Sequence, residues 1–416
     1  MRTINVEPLT RVEGHGRVEL RLVGDRLTDV KICLVESPRL FEEIVRGRLW
    51  KEIPALVCRI CAICSSVHRL AAAAALERAF GVEIPPAARL VRTLLLLGGH
   101  IESHALHLFC LVLPDLRRQP SILPLLQAGD PAARRGVALK ALGNRIQEVA
   151  GGRMIHPVNV EVGGIVKLPE RSLLDDLQRE LALWDDEMSS LLEVFCEPQG
   201  YPWGTPAVGT RLSVAQDGGF TLNGEELLCS DGRRVAGEAY QELLQEQAVP
   251  YSNAKRSGDG RHPFLAGALA RVGNYRRGAS DLGPLPVAET IYGNNAAQSL
   301  ELLWAIKECQ RLIDELLQLP ASADVLAEVR PEAGVGIEVV EAPRGLLIHR
   351  YVLDDFGRVA EADIVTPTAI NQAAIEVQLL NDLVGVEDAT ELARRAGIIV
   401  RAFDPCISCS VHVLKS

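Results

Sequence analysis

Between residues 3 and 36, apolar and polar side chains alternate. "TINVEPL" and "GRVELRLVGDRLTDVKICLVE" therefore predict strands of an N-terminal sheet. From Phe41 the period lengthens to that of a helix. "SSVHRLAAAAALERAFG" reads as an Ala-rich helix that Gly81 terminates. Residues 86–113, 131–150, 171–197 and 291–318 carry long helical patterns and predict a bundle. Residues 205–230 read as a short β insertion, and 250–290, rich in Gly, Pro, Arg and Asn, as ordered loop. Strand alternation returns over 334–367, and two short helices follow. The expected fold class is α+β: a mainly helical bundle core with an N-terminal β-sheet lobe and small β insertions.

Composition narrows the function. A chain of 416 residues exceeds one typical core and predicts two or three tightly packed lobes. It is 48 % hydrophobic but only 4 % aromatic, so the core is aliphatic. A formal net charge of −10 argues against nucleic acid as a partner. Neither a Walker-type loop nor G-x-G-x-x-G occurs. The most apolar segment, 91–116, carries His100, Glu102, His104 and His107, so it reads as a buried helix and predicts no membrane insertion. The N-terminal residues lack the apolar stretch of a signal peptide. With ten cysteines, that predicts reduced thiols and a cytoplasmic setting.

Six cysteines stand alone (Cys33, Cys58, Cys110, Cys196, Cys229 and Cys309) and read as small buried hydrophobes. The other four form two Cys-x-x-Cys pairs. "CRICAICSSVH" holds Cys61 and Cys64 with His68 after them; "DPCISCSVH" holds Cys406 and Cys409 with His412 after them. On a helical turn, positions i and i+3 share a face, so each pair can aim two sulfurs at one point. Asp404 and Pro405 suit the N-cap and first position of a helix, placing Cys406 in its first turn, where backbone N–H groups favour thiolate. By spacing alone the four thiols fit structural zinc, a redox dithiol or an iron–sulfur cluster. The pairs come from opposite chain ends, each precedes a histidine, and charged residues crowd the neighbouring motifs. These features point away from structural zinc.

"RICAICSSVH" and "DPCISCSVH" resemble the two metal-binding signatures of the nickel–iron hydrogenase large subunit. "TRVEGHGRVEL", "SPRLFEEIVRGR", "GGRMIHPVNVEVGG", "EAPRGLLIHR" and "DIVTPTAIN" are similar to further ordered motifs of that family. "YSNAKRS" and "FLAGALARVGNY" resemble its soluble, cytoplasmic, NAD(P)-linked branch. The resemblance implies the hydrogenase large-subunit fold as one domain. Its parts would be an N-terminal β lobe (1–50), a helical bundle with the first cysteine pair (51–200) and a β/loop insertion (201–290). A helix with a C-terminal lobe (291–412) and a maturation tail (413–416) would complete it.

The resemblance also implies an activity: reversible heterolytic cleavage of H2, with electrons passed to iron–sulfur clusters on a small subunit. It implies a Ni–Fe centre with CO and cyanide on the iron. Cys61 and Cys406 would be terminal nickel ligands, and Cys64 and Cys409 would bridge to iron. The proton would leave through a bridging cysteine such as Cys409 and then Glu13. Arg344 would hang over the open metal face with Pro343 and Asp404 beside it. His68 would hydrogen-bond the bridging sulfur, and Glu42 and His412 would hold Mg2+. Diaphorase-type partners and a maturation protease cutting after His412 are implied too. Three departures stand out: Ala62 replaces a usual glycine, Ser103 an aspartate of the metal canopy, and Arg350 a frequent tryptophan. Two other classes compete: a structural zinc protein, and a non-catalytic relative like the quinone-pocket subunit of respiratory complex I, which lacks the cysteine pairs.

Overall fold

The structure is a computed structural model. It describes residues 2–24, 26–184, 187–196, 201–260, 262–275, 282 and 285–411. Strands Arg2–Val6, Gly16–Val23 and Arg26–Leu34 form an antiparallel sheet in that order. Its alternation is the expected one: Val18, Leu20 and Leu22 point inward while their neighbours are partly exposed.

Helix Ser65–Ala79 is buried on nearly every side and packs under the strands Gly334–Ala342 and Gly345–Leu353. The approach is close enough that a Cβ at Gly336 would sit 1.8 Å from the Ala75 carbonyl oxygen. The bundle is built around helices Pro86–Ala105, Pro131–Gly151 and Gly293–Gln318. Gly143 lets the first two meet, since a Cβ there would lie 2.4 Å from the Glu102 amide nitrogen. The expected helix over 86–113 passes into a π-helical stretch, Leu106–Val112, and then a last turn, Leu113–Leu116. Pro114 lacks the N–H that a regular ladder needs there. By length and composition Pro86–Leu116 could cross a membrane, but 83 % of its apolar window is buried inside the protein.

Two expectations change. The helix expected over 171–197 is divided into Arg171–Ala182 and Met188–Leu192, and residues 185, 186 and 197 lie outside the described ones. The expected loop over 250–290 contains strands Lys255–Gly258 and Phe264–Leu265 and helix Ala268–Tyr275. These elements are too short to show a period, and tertiary contacts form them.

Strands Gly334–Ala342, Gly345–Leu353 and Val359–Val365 form an antiparallel sheet, with Ala342 opposite Gly345. Pro343 and Arg344 are thus the two residues of a tight hairpin turn. One large aliphatic core joins the N-terminal sheet, the bundle and the C-terminal helices. A smaller core around Leu212, Leu227, Tyr240, Ile348 and Ile370 supports the hairpin from the other side. Of the lone cysteines, Cys33, Cys58, Cys229 and Cys309 are buried, while Cys110 and Cys196 are half-buried.

Candidate metal centre

The two cysteine pairs, 342 residues apart, meet inside the protein. Cys61 and Cys64 lie in the turn between helix Ile53–Val57 and helix Ser65–Ala79, with Cys64 at the second helix's N-cap. Cys406 and Cys409 flank and enter the four-residue helix Ile407–Ser410. Cys406 is its N-cap, in extended conformation, and not a first-turn residue as the Asp-Pro signal suggests. Asp404 is drawn away from capping: it takes a left-handed φ of 50° and its carboxylate binds Arg344 and Gln298.

All four sulfurs are buried and lie within 4.8 Å of one another. Cys406 Sγ is 3.5 Å from Cys61, 3.8 Å from Cys64 and 2.7 Å from Cys409, the last well beyond a disulfide bond. The last turn is clamped from several directions. Glu13 forms a β-bridge with Cys406, and the Ile407 amide donates to the Glu13 carbonyl at 3.1 Å. Thr368 Oγ1 accepts from the Cys406 amide at 2.8 Å, and Thr366 and Ser410 hydroxyls pair at 2.7 Å.

Charged groups surround the sulfurs asymmetrically. Arg344, 2 % exposed at the hairpin tip, donates from Nη1 to Cys64 Sγ at 3.4 Å and from Nε to Asp404 at 3.1 Å. Its Nη2 is buried without a hydrogen-bond partner, so the guanidinium presents an unused donor at the cluster. Burial pushes Asp404 up, but Arg344 beside it wins and holds the carboxyl below its ordinary range. Pro343 contributes its carbonyl to Arg271, a fully buried arginine that also grips Glu301, Glu341 and the Ala342 carbonyl. On the other side, Glu13 Oε1 lies 3.9 Å from Cys61 Sγ, and Oε2 accepts from the Ser408 amide at 3.1 Å. Burial, and then the Cys61 thiolate, raise the Glu13 carboxyl above its ordinary value. A carboxyl so placed keeps its proton more readily than an exposed one.

His68 Nδ1 pairs with His349 Nε2 at 3.0 Å, and His349 Nδ1 with the Tyr351 hydroxyl at 2.7 Å. Ala62 avoids the left-handed region, so its methyl is tolerated. Ser103 is fully buried, and Arg350 pairs with Glu361 away from the sulfurs. Ser408, Gln298, Thr368, Arg271 and His349 also shape the site, and sequence reasoning misses them. Ser408, His349, Thr368 and Arg271 lie inside recognisable motifs; Gln298 announces itself only through contacts.

Four converging thiolates fit a thiophilic metal such as nickel or zinc. A structural zinc site needs no unpaired guanidinium donor and no carboxyl held against a ligand sulfur; a reactive centre uses both. Glu42 stands elsewhere. Both its oxygens accept from Lys255 Nζ, at 3.0 and 2.9 Å, and one accepts from the Ile364 amide at 2.9 Å. That filled shell does not fit Mg2+, which demands near-octahedral oxygen ligands. His412 lies outside the described residues.

A nickel-dependent hydrogenase family model matches residues 39–117 and 278–412, and a HoxL-like model matches residues 3–32. The alpha chain of sulfhydrogenase 2 from Pyrococcus furiosus is 35 % identical, covering 99 % of both chains. A vhu-type F420-non-reducing hydrogenase chain from Methanocaldococcus jannaschii is 32 % identical over 90 % of this chain and 97 % of its own. The solved structure of an NAD+-reducing [NiFe]-hydrogenase superposes with a TM-score of 0.89 at 28 % identity, covering 99 % of this chain and 100 % of that one. The chain belongs to the nickel-dependent hydrogenases: it is a catalytic large subunit, an oxidoreductase acting on H2, and its fold is that of the family.

Proposed function

We propose that Cys61, Cys64, Cys406 and Cys409 hold the nickel of a Ni–Fe centre, with Cys64 and Cys409 shared with an iron that carries CO and cyanide. The single observation that carries this is the convergence of four buried sulfurs under Arg344 with Glu13 at their side. When bound, the centre supplies the Lewis acid that polarises H2. The protein's own groups do the rest. Arg344, held by Asp404 and by the Arg271-gripped turn, fixes positive charge over the open face. Glu13 takes the proton from the sulfur side and passes it outward. Its Oε1, 3.9 Å from Cys61 Sγ, supports a proton path that starts at the sulfurs. His68, oriented by His349 and Tyr351, supports the Cys64 side of the cluster.

Electrons leave to an iron–sulfur small subunit, because all four paired cysteines are used here. Diaphorase-type partners that reduce NAD(P), a maturation protease acting after His412 and a cytoplasmic location belong to the same reading. The likeness to an NAD+-reducing enzyme supports it. No divalent ion is assigned to Glu42, whose carboxylate Lys255 already neutralises. The test is metal analysis with infrared spectroscopy of the purified complex. Nickel at about one per chain and metal-bound CO and cyanide bands are expected. Zinc alone, without such bands, would sink the proposal.

A further inference from the structure

Four chain segments meet the strand that begins at Lys255. Glu42 comes from helix Phe41–Val45, Glu246 from strand Gln245–Ala248 and Asp363 from strand Val359–Val365. Their carboxylate oxygens lie within 4.8 Å of one another, a spacing suited to a cation. Strand Lys255–Gly258 pairs with the strand carrying Glu246, and brings the lysine in among them. Lys255 Nζ lies 3.0 and 2.9 Å from the two Glu42 oxygens and 2.7 Å from Glu246. An ammonium has three N–H donors, and three carboxylate oxygens are in reach. Asp363 has its own donor, the Tyr240 hydroxyl. The fourth segment is the last turn: Ala254, next to Lys255, forms a β-bridge with Val411, whose carbonyl accepts from the Arg39 amide at 2.8 Å.

We infer that the Lys255 ammonium is the resident cation of this junction and takes the place of the divalent ion that the family resemblance implies at Glu42. A Mg2+ bound to Glu42 would have to displace the ammonium from both oxygens and then sit beside its positive charge. The lysine instead ties the start of the chain to its end without a metal, next to the turn that carries Cys406 and Cys409. Lys255 is a positioning residue here: it acts through the strand that holds Val411. The inference concerns an ion other than nickel, so its failure and that of the Ni–Fe reading are separately visible in one metal analysis.

The experiment uses the assembled holoenzyme after desalting in EDTA. Magnesium and manganese together are expected below about 0.1 equivalent, with nickel retained, and EDTA or about 10 mM Mg2+ is expected to move Tm by less than about 1 °C. In Lys255→Ala, Tm in EDTA is expected to fall by about 4 °C or more, and about half of the loss to return in about 10 mM Mg2+, which then finds the carboxylates uncovered. A wild-type enzyme carrying about one divalent ion per chain besides the Ni–Fe pair, lost to EDTA with a fall in Tm, would overturn the inference. So would a Lys255→Ala enzyme with wild-type Tm in EDTA. Should that variant not assemble, the wild-type metal analysis decides alone.

Discussion

The two cysteine turns do the same chemical work on different foundations. Cys61 and Cys64 lead directly into helix Ser65–Ala79, whose residues are buried almost throughout, so the chain that follows them is already part of the core. Cys406 and Cys409 sit on a helix of four residues, far too short to hold itself. That turn is held by borrowed groups: Glu13, Thr366, Thr368 and the bridge from Ala254 to Val411. The first pair is a wall of the site and the second its lid. A lid closed by contacts from distant segments can form last, around a metal already seated on the wall.

That contrast yields predictions of decreasing size. Glu13 ties down the lid and, in the function proposed above, carries the proton; Glu13→Gln separates the two, since an amide oxygen still accepts from the Ser408 amide. H/D exchange is expected to fall by about 10²–10³-fold with nickel content unchanged; full exchange activity would remove the relay role. Hydrogen-exchange mass spectrometry tests the wall and the lid directly. Removing the metal is expected to speed amide exchange at 406–411 by about tenfold or more and to leave 66–76 nearly unchanged. Equal loosening of both segments would erase the distinction. Thr368→Val deletes one borrowed hydrogen bond from the lid and is expected to cost about 1 kcal/mol, read as a lower Tm; the corresponding change on the wall, Ser65→Ala, which removes the acceptor of the His156 amide, should cost less.

A pH-dependent effect concerns the wall's support. His100 lies on helix Pro86–Ala105, where burial, and then His104, push its pKa from 6.5 down to about 3. The folded protein keeps this imidazole neutral while the unfolded chain protonates it below pH 6.5. Its contribution to stability is therefore complete above 6.5 and lost progressively as the pH falls toward 3. The loss amounts to at most about 1.4 kcal/mol per pH unit. Tm measured between about pH 7 and 5 should fall less steeply in His100→Gln than in the wild type. An identical slope would place the acid sensitivity elsewhere.

Much of this was legible in the chain alone. The alternation over 3–36 marked the first sheet, the long helical periods marked the bundle, and the ordered motifs named the family. Local rules were weaker where tertiary forces compete. Asp404-Pro405 carries a helix-start signal, yet the Arg344 guanidinium outcompetes the backbone for the Asp404 carboxylate. Helix Ala268–Tyr275 is hidden in a Gly- and Arg-rich stretch because its reason for existing is the burial of Arg271 against Glu301 and Glu341, residues 30 and 70 positions away.

Residue type and local spacing were enough to mark the candidate ligands, four cysteines in two short motifs. What stands around them was settled by the packed fold. It set Arg344 against Cys64, Glu13 against Cys61 and Lys255 on Glu42. These are contacts across 48 to 280 residues. No local pattern encodes them, because such a contact depends on distance in space, and the packing of the whole chain sets that distance.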